Sequence, residues 1–394
     1  MDMTCLKLQI GNGKMSFKIL VINSGSTSLK FALFEKTKCQ FHGEIEQIAT
    51  PNSKLWVKGS LTIEEKCKVN DQSSAIELVV KVLNDNSVAP IDAIGHRVVF
   101  GGDVFDTPVI IDKLVFQNLQ ALSAYDLVHM PSQIKNIELI QKHFPEVTQI
   151  ACFDTSFHLT MPDKAKMFAL PHSLYEEGIK RYGFHGLSFE SIIQNDLVNH
   201  KKIIIAHLGS GSSICAIKDK KSIDTTMGLT SLGGIPMQVR SGDLDPGIIL
   251  FLLRQKKWTL EKLEKLLYEE SGLQGLSELT SDIKTLLAKS ENNSKAKNAV
   301  DLFCYNVAKT IGSYIVALQG VEAIVFTGGI GERSPIIREN ISKQLSPFEI
   351  TLNDIPNSQN EQLISNENSK AKLFVIPAEE EKTIAEHAVR LLRH

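Results

Sequence analysis

The chain has 394 residues, 43% hydrophobic and 22% charged, with a formal net charge of −2; this is globular composition, long enough for about two domains, and it offers no basic stripe for nucleic acid. No apolar run approaches the roughly 18 residues needed to span a bilayer, and the N-terminus lacks the apolar core of a signal peptide. Six cysteines (Cys5, Cys39, Cys67, Cys152, Cys215 and Cys304) include no CxxC pair and sit mostly in apolar patterns, which favours reduced thiols over a disulfide or zinc framework and a cytoplasmic location.

Residues 1–14 precede a second methionine, Met15, and are expected to be a flexible lead-in. Residues 19–34, ILVINSGSTSLKFALF, then read as strand, small-residue turn and strand. Gly25 with Ser26, Thr27 and Ser28 lets backbone amides and hydroxyls approach a phosphate, and Lys30 adds a positive charge; the same stretch also reads as an ordinary polar hairpin turn. Residues 40–69 suggest further strands of the same sheet, and residues 73–84 carry apolar side chains at helical spacing. Residues 91–100, IDAIGHRVVF, form a buried strand with Arg97 among apolar neighbours. A helix opens at Pro131 and is closed by Pro145, and the apolar strand 150–153 runs directly into Asp154.

After the loop YGFHG (182–186), the first pattern returns: residues 203–217, IIIAHLGSGSSICAI, are again an apolar run, a Gly/Ser turn and an apolar run, with His207 at the entrance. Two such hairpins half a chain apart suggest a duplicated domain facing itself across a nucleotide. Residues 224–245 form a glycine-rich loop with little periodicity, a kind that is usually functional. Residues 294–319 read as one long core helix ending at Gly320, and 353–370 as a polar exposed loop. The glycine stretch TGGIGE (327–332) follows a strand and precedes a helix, where backbone can approach a nucleotide closely; it has neither the G-K-[ST] of a Walker A loop nor the third glycine of a dinucleotide fingerprint.

Taken together, NSGSTSLK (23–30), GHRVVFGG (95–102), FDTSFH (153–158), YGFHG (182–186), HLGSGSS (207–213), DTTMG (224–228), RSGDLDP (240–246), FTGGIGE (326–332) and IPAEEE (376–381) resemble the acetate kinase family over nearly everything after Met15. The resemblance implies an α/β fold of two duplicated actin-like (ribonuclease H-like) domains, each a mixed five-stranded sheet with flanking helices, around a nucleotide cleft: residues 15–155 plus about 378–394, and residues 156–377. It implies reversible phosphorylation of acetate to acetyl phosphate with ATP/ADP and Mg2+, Mn2+ being a substitute, in a homodimer. By resemblance, Asp154, His185 and Arg240 are catalytic, and Arg97 forks onto the acetate carboxylate within walls formed by Val99, Val128, Phe184 and Ser231. Lys30, Ser26, Ser28, His207, Leu208, Gly209, Ser210 and Gly211 would meet the phosphates. Asp282, Ile283, Lys284, Gly329, Ile330, Gly331, Glu332 and Arg333 would back the nucleoside, and Asn23 and Glu380 would hold the metal with the oxygen ligands magnesium prefers.

The chain departs from the family pattern at several places. Phe100 stands where histidine is common, Leu187 and Phe189 where threonine and histidine are, Ser210 where asparagine is, Arg333 where asparagine is, and Lys284 keeps a charge without the planar fork of arginine. Ser231 in place of proline and Val128 in place of leucine make the acyl walls smaller, so propionate is expected to compete. A reading from another class, a nucleotide-gated ATPase or scaffold of the actin and Hsp70 type, has no use for the carboxylate clamp that Arg97 and Arg240 suggest.

Overall fold

The apolar run from Ile19 to Ile22 becomes a central strand because both of its faces are covered. In a strand, alternate side chains point to opposite faces: Leu20 and Ile22 pack with the buried side of the helix Gln72–Asp85, while Ile19 and Val21 pack with Ile384, Ala385 and Ala388 of the C-terminal helix Glu380–Leu392. That last helix lies close against the neighbouring strand, where a Cβ on Gly95 would come within 2.5 Å of Ile384. The end of the chain is thereby fixed to the first sheet. These relations come from a computed structural model that describes residues 16–25, 27–88, 90–126 and 128–393; the expected lead-in at 1–14 and the candidate Ser26 lie outside the described residues.

The first sheet contains β1 (Lys18–Ser24), β2 (Leu29–Glu35), β3 (Lys38–Glu46), β4 (Lys54–Gly59), β5 (Ile63–Lys66), β6 (Ala93–Val98), β7 (Val109–Ile110) and β8 (Thr148–Phe153), in the order β5-β4-β3-β2-β1-β6-β8-β7. The second contains β9 (Lys202–Leu208), β10 (Ser212–Lys218), β11 (Lys221–Thr225), β12 (Ala323–Thr327) and β13 (Lys372–Val375), in the order β11-β10-β9-β12-β13. Five strands of the first sheet, β3-β2-β1-β6-β8, repeat the order of the whole second sheet. The expectation of five strands in each is therefore corrected to eight and five. The hairpin β4–β5 extends one edge, burying Leu55 and Val57 in the first core while charged side chains such as Lys54 and Glu64 pair outside, and the two-residue β7 closes the other edge.

In the second sheet, Ile204, Ala206 and Leu208 pack with Phe303, Val307 and Ile311 of the long helix Ser294–Leu318, whose expected extent holds to within a residue. Ile203 and Ile205 pack on the opposite face with Phe189 and Ile192 of the helix Gly186–Ile193. Residues 353–370 are more ordered than an exposed loop. They include the short helix Asp354–Ser358 and two isolated bridges, and Asn357 is buried. The polar side chain is needed inside because Arg338, fully buried, donates to Asn357 Oδ1 at 2.8 Å and to the Gly331 carbonyl at 2.7 Å.

Candidate active site

The two hairpin turns open onto one cleft of 410 Å3 between the sheets. Strand register places the side chains at its rim. On the first sheet Asn23 pairs with Lys30 across β1 and β2, and β6 delivers Arg97 beside them. Asp154 follows the last residue of β8. On the second sheet His207 pairs with Ser213 across β9 and β10, and Thr327 ends the parallel strand alongside. The segment 226–245, which contains no regular element, brings in Ser231 and Arg240.

Arg97 is the hub of the first side. Its Nη2 donates to Asp154 Oδ2 at 2.6 Å and its Nε to the two carboxylate oxygens at 3.0 and 3.2 Å, while Nη1 donates to Asn23 Oδ1 at 3.2 Å and lies 3.5 Å from Glu380 Oε2. The fork expected to hold acetate is thus held by Asp154 in this structure. Asn23 donates through Nδ2 to Glu380 at 2.9 Å and to Glu381 at 2.8 Å, which fixes the orientation of its amide. Burial works against the charge on Glu380, but Arg97, His207 and Lys30 outweigh it and hold its pKa down at about 2. Asp154 is pushed above the ordinary carboxylate range by complete burial, with Glu380 adding to the effect against Arg97; two carboxylates sharing one cation separate in this way. Burial also opposes the Lys30 ammonium, yet Glu381 and Glu380 keep its pKa above the usual lysine value.

The second side is neutral. The His185 and His207 rings stack with centroids 4.4 Å apart, and each is tied by Nδ1 to a serine at 2.8 Å, Ser213 for His185 and Ser188 for His207. Burial, reinforced for His185 by the neighbouring His207 and Arg97, pushes His185 well below the usual histidine value and His207 down to about 4. Both are therefore neutral donors or acceptors near pH 7. Gly209, Ser210 and Gly211 line the cleft beside Gly328 and Gly329, which follow the paired strand β12. A Cβ at Gly329 would meet no atom within 4 Å and would simply fill the cleft, so glycine there keeps room for a guest near the backbone.

Arg240 reveals a network that sequence reasoning missed. Its Nη1 donates to the Ser231 carbonyl at 3.2 Å, and its Nη2 lies 3.2 Å from His129 Nε2. A guanidinium only donates, so Nε2 accepts and Nδ1 carries the proton, which it gives to Asp126 at 3.1 Å. Asp126, though buried, is held below its ordinary pKa chiefly by these bonds to His129. The local signal was an aspartate three residues before a histidine at a helix start; nothing local linked it to a residue 111 positions away. Thr27, read from the sequence as part of the phosphate turn, lines the cleft, and so do Met227 and Glu381, which were not singled out.

Of the remaining candidates, Ser28, Lys30, Val99, Phe184, Ser231, Glu332 and Arg333 line the cleft. The Glu332 carboxylate is turned onto the backbone, accepting from Gly328 N at 3.0 Å and Ala378 N at 3.4 Å. Leu208 and Ile330 are core residues just behind the lining, and Gly331 faces Arg338. The candidates of one further segment are also outside the lining: Asp282 caps the helix Ile283–Lys289 by accepting from Thr285 N at 2.9 Å, Ile283 is buried in the second core, and Lys284 is exposed on the same turn. Val128 is 42% exposed and is not in the cleft wall either. Among the described residues no group of three or more His, Cys, Asp or Glu side chains could hold a metal ion. The oxygen donors beside Asn23 nevertheless fit a magnesium ion of the kind that takes one or two carboxylates and completes its shell with phosphate and water.

Two like-ordered sheets facing across a cleft, with small-residue turns on both sides and arginines between them, define an actin-like phosphotransferase. The comparisons specify which. The model of the acetokinase family matches residues 18–386. The chain is 40% identical over 385 residues to the acetate kinase of Rickettsia akari (strain Hartford), covering 95% of this chain and 99% of that one. Solved structures superimpose closely: a propionate kinase from Francisella tularensis subsp. tularensis SCHU S4 at TM-score 0.88 and 36% identity, over 94% of this chain and 98% of that one, and the acetate kinase of Porphyromonas gingivalis at TM-score 0.83 and 32% identity, over 95% and 100%. The chain belongs to the acetokinase family, enzymes that transfer a phosphoryl group to a carboxyl acceptor, and it has their duplicated actin-like fold.

Proposed function

We propose that this cleft transfers the γ-phosphoryl group of MgATP to acetate, giving acetyl phosphate and ADP, and runs the reverse reaction as well. The observation that carries the reading is the asymmetry of the cleft: the ionic cluster of Arg97, Asp154, Glu380, Asn23 and Lys30 faces a neutral wall of His185, His207 and glycine backbone, with Arg240 between them. Phosphoryl transfer requires mainly that two anions be positioned and the developing charge be neutralised.

Acetate is ionised near neutrality, so no base is needed before attack. Arg97 binds its carboxylate by exchanging part of its contact with Asp154, between the apolar walls of Val99 and Phe184. Asp154 thereby orients the arginine and the nucleophile rather than removing a proton. Arg240, held by Ser231 and His129, stabilises the equatorial oxygens of the phosphoryl group in transit, and neutral His185 adds a hydrogen bond. Lys30, Ser28 and the backbone of Gly209, Ser210 and Gly211 receive the phosphates, and Gly329 and Arg333 border the nucleoside. Glu380, Glu381 and the Asn23 amide would hold Mg2+, with Mn2+ able to substitute; when bound, the metal neutralises phosphate charge.

We further propose domains of residues 15–155 plus 378–394 and 156–377, supported by the packing of the C-terminal helix on the first sheet. A homodimer is supported by the helix Pro246–Arg254, which buries none of its residues and exposes Ile248, Leu250 and Phe251. A cytoplasmic location is supported by the free cysteines; among the described residues no helix is long and apolar enough to cross a membrane. Propionate is a competing acceptor, favoured by Ser231 in the cleft wall. The test is ADP formation by the purified protein with MgATP. Acetate is expected to raise the rate far above the basal hydrolysis, and a rate indifferent to acetate would favour the ATPase reading.

A further inference from the structure

His158 does not touch the cleft, yet its position is tied to two residues that do. It lies in the short turn Ser156–Thr160 just after Asp154, with no solvent exposure, 3.0 Å from the Phe184 carbonyl through Nε2 and 2.9 Å from Ser222 Oγ through Nδ1. A carbonyl can only accept, so Nε2 carries the proton and Nδ1 takes the serine hydroxyl.

The bond falls on an unusual peptide. His185, next in the chain, has φ 58° and ψ 24°, the left-handed region that residues bearing a Cβ occupy only when their surroundings hold them there. Glycines on both sides allow the close approach: a Cβ at Gly183 would lie 2.6 Å from the His158 ring, and one at Gly186 would lie 2.0 Å from the Asp154 carbonyl. The His185 backbone N–H lies near enough to the Asp154 carboxylate to stabilise its charge. Because a trans peptide is planar, with its C=O and N–H on opposite edges, a grip on the Phe184 oxygen also sets where the His185 N–H points.

We infer that His158 is a positioning residue for the transfer: by holding the Phe184–His185 peptide it fixes the His185 ring, which Ser213 anchors at its other end. The inference rests on the proposed phosphoryl transfer at this cleft. A nucleophilic role for the adjacent Cys215, 3.4 Å from Ser222 and 4.0 Å from His158, is disfavoured because the thiol is fully buried, which pushes its pKa up, and it does not line the cleft.

The test compares His158→Gln with His158→Asn in full steady-state kinetics with MgATP and acetate. The glutamine amide reaches the position of Nε2 and can still donate to the Phe184 carbonyl; the asparagine amide reaches only the position of Nδ1. We expect His158→Asn to lower kcat by about 100-fold, the size of loss that a misplacement of about 1 Å produces, with the KM values for ATP and acetate nearly unchanged, and His158→Gln to recover most of the loss. Equal losses in the two variants, or losses confined to KM, would overturn the inference. Should neither variant fold, the 15N ring shifts of wild-type His158 decide: a neutral ring protonated at Nε2 supports the role, and one protonated at Nδ1 refutes it. Failure of the wild type to make acetyl phosphate would refute the proposed function, while the ring tautomer would still test the contact.

Discussion

The two hairpins are built alike and equipped differently. Asn23 and Lys30 face each other at the rim of the first, and the equivalent pair of the second is His207 and Ser213. The neighbouring parallel strand supplies Arg97 in one half and Thr327 in the other. The duplicated frame thus offers the same three positions twice. Charge occupies two of them on one side, Lys30 and Arg97, where Glu380 and Glu381 from the C-terminal helix balance it; uncharged polar side chains occupy all three on the other. A site that must bind two anions and a metal, and bring two negatively charged groups together, gains from this division: attraction is concentrated on one wall while the other positions without adding net charge.

Removing charge from the first wall is expected to have the largest effect. Arg97→Ala leaves Asp154 and Glu380 buried without their cation, and should lower kcat/KM for acetate by about 10³-fold or more and destabilise the fold by roughly 3–5 kcal/mol, measured by acyl phosphate formation and by urea unfolding.

The two walls should also respond to acid in different windows. His207 and the buried His158 have pKa values of about 4 in the folded protein, below the ordinary value near 6.5. Between these limits the unfolded chain binds more protons, so stability is fully present above about pH 6.5 and is lost as pH falls towards 4, on the order of 3 kcal/mol for each ring. Glu380, held at about 2, keeps its contribution until the pH falls from about 4.5 towards 2. Urea unfolding at a series of pH values reads both windows; stability unchanged between pH 6.5 and 4 would contradict the assignment of His207 and His158 as neutral buried rings.

Asp154→Asn should cost about 10²-fold in kcat at every pH from 6 to 9, because the lost function is orientation; full recovery at high pH would instead indicate a base. On the neutral wall, Ser213→Ala frees one edge of His185 and should lower kcat by less than about tenfold, the worth of one hydrogen bond of about 1 kcal/mol. The last change concerns acceptor choice rather than rate. Ser231→Val adds bulk to the cleft wall and should reduce kcat/KM for propionate relative to acetate by about tenfold, read from parallel assays with the two acids.

Much of this site was legible because its signals are local. A run of apolar residues broken by glycine and serine forms a hairpin wherever it occurs, and an arginine inside an apolar strand has few places to put its charge. The two hairpins, Arg97, Asp154 and the glycine stretch before Glu332 were legible for that reason. The link from Asp126 through His129 to Arg240 was not, since it depends on two segments meeting in space. Asp282 is a position that local sequence leaves open: an aspartate before an apolar turn serves equally as a ligand or a helix cap, and here it caps. Of the additional edge strands of the first sheet, β4 and β5 lie within residues 40–69, where alternation suggested further strands, while the two-residue β7 is too short to leave a pattern; the ordered structure within 353–370 was obscured by its polar composition, which the buried Arg338 requires.

The most direct measurement is hydroxylamine trapping of acyl phosphate by the purified protein with MgATP and acetate, beside the Arg97→Ala variant. The account predicts abundant acetyl hydroxamate from the wild type and a near-total loss in the variant. Nucleotide binding without hydroxamate from acetate or propionate, or a variant as active as the wild type, would contradict it.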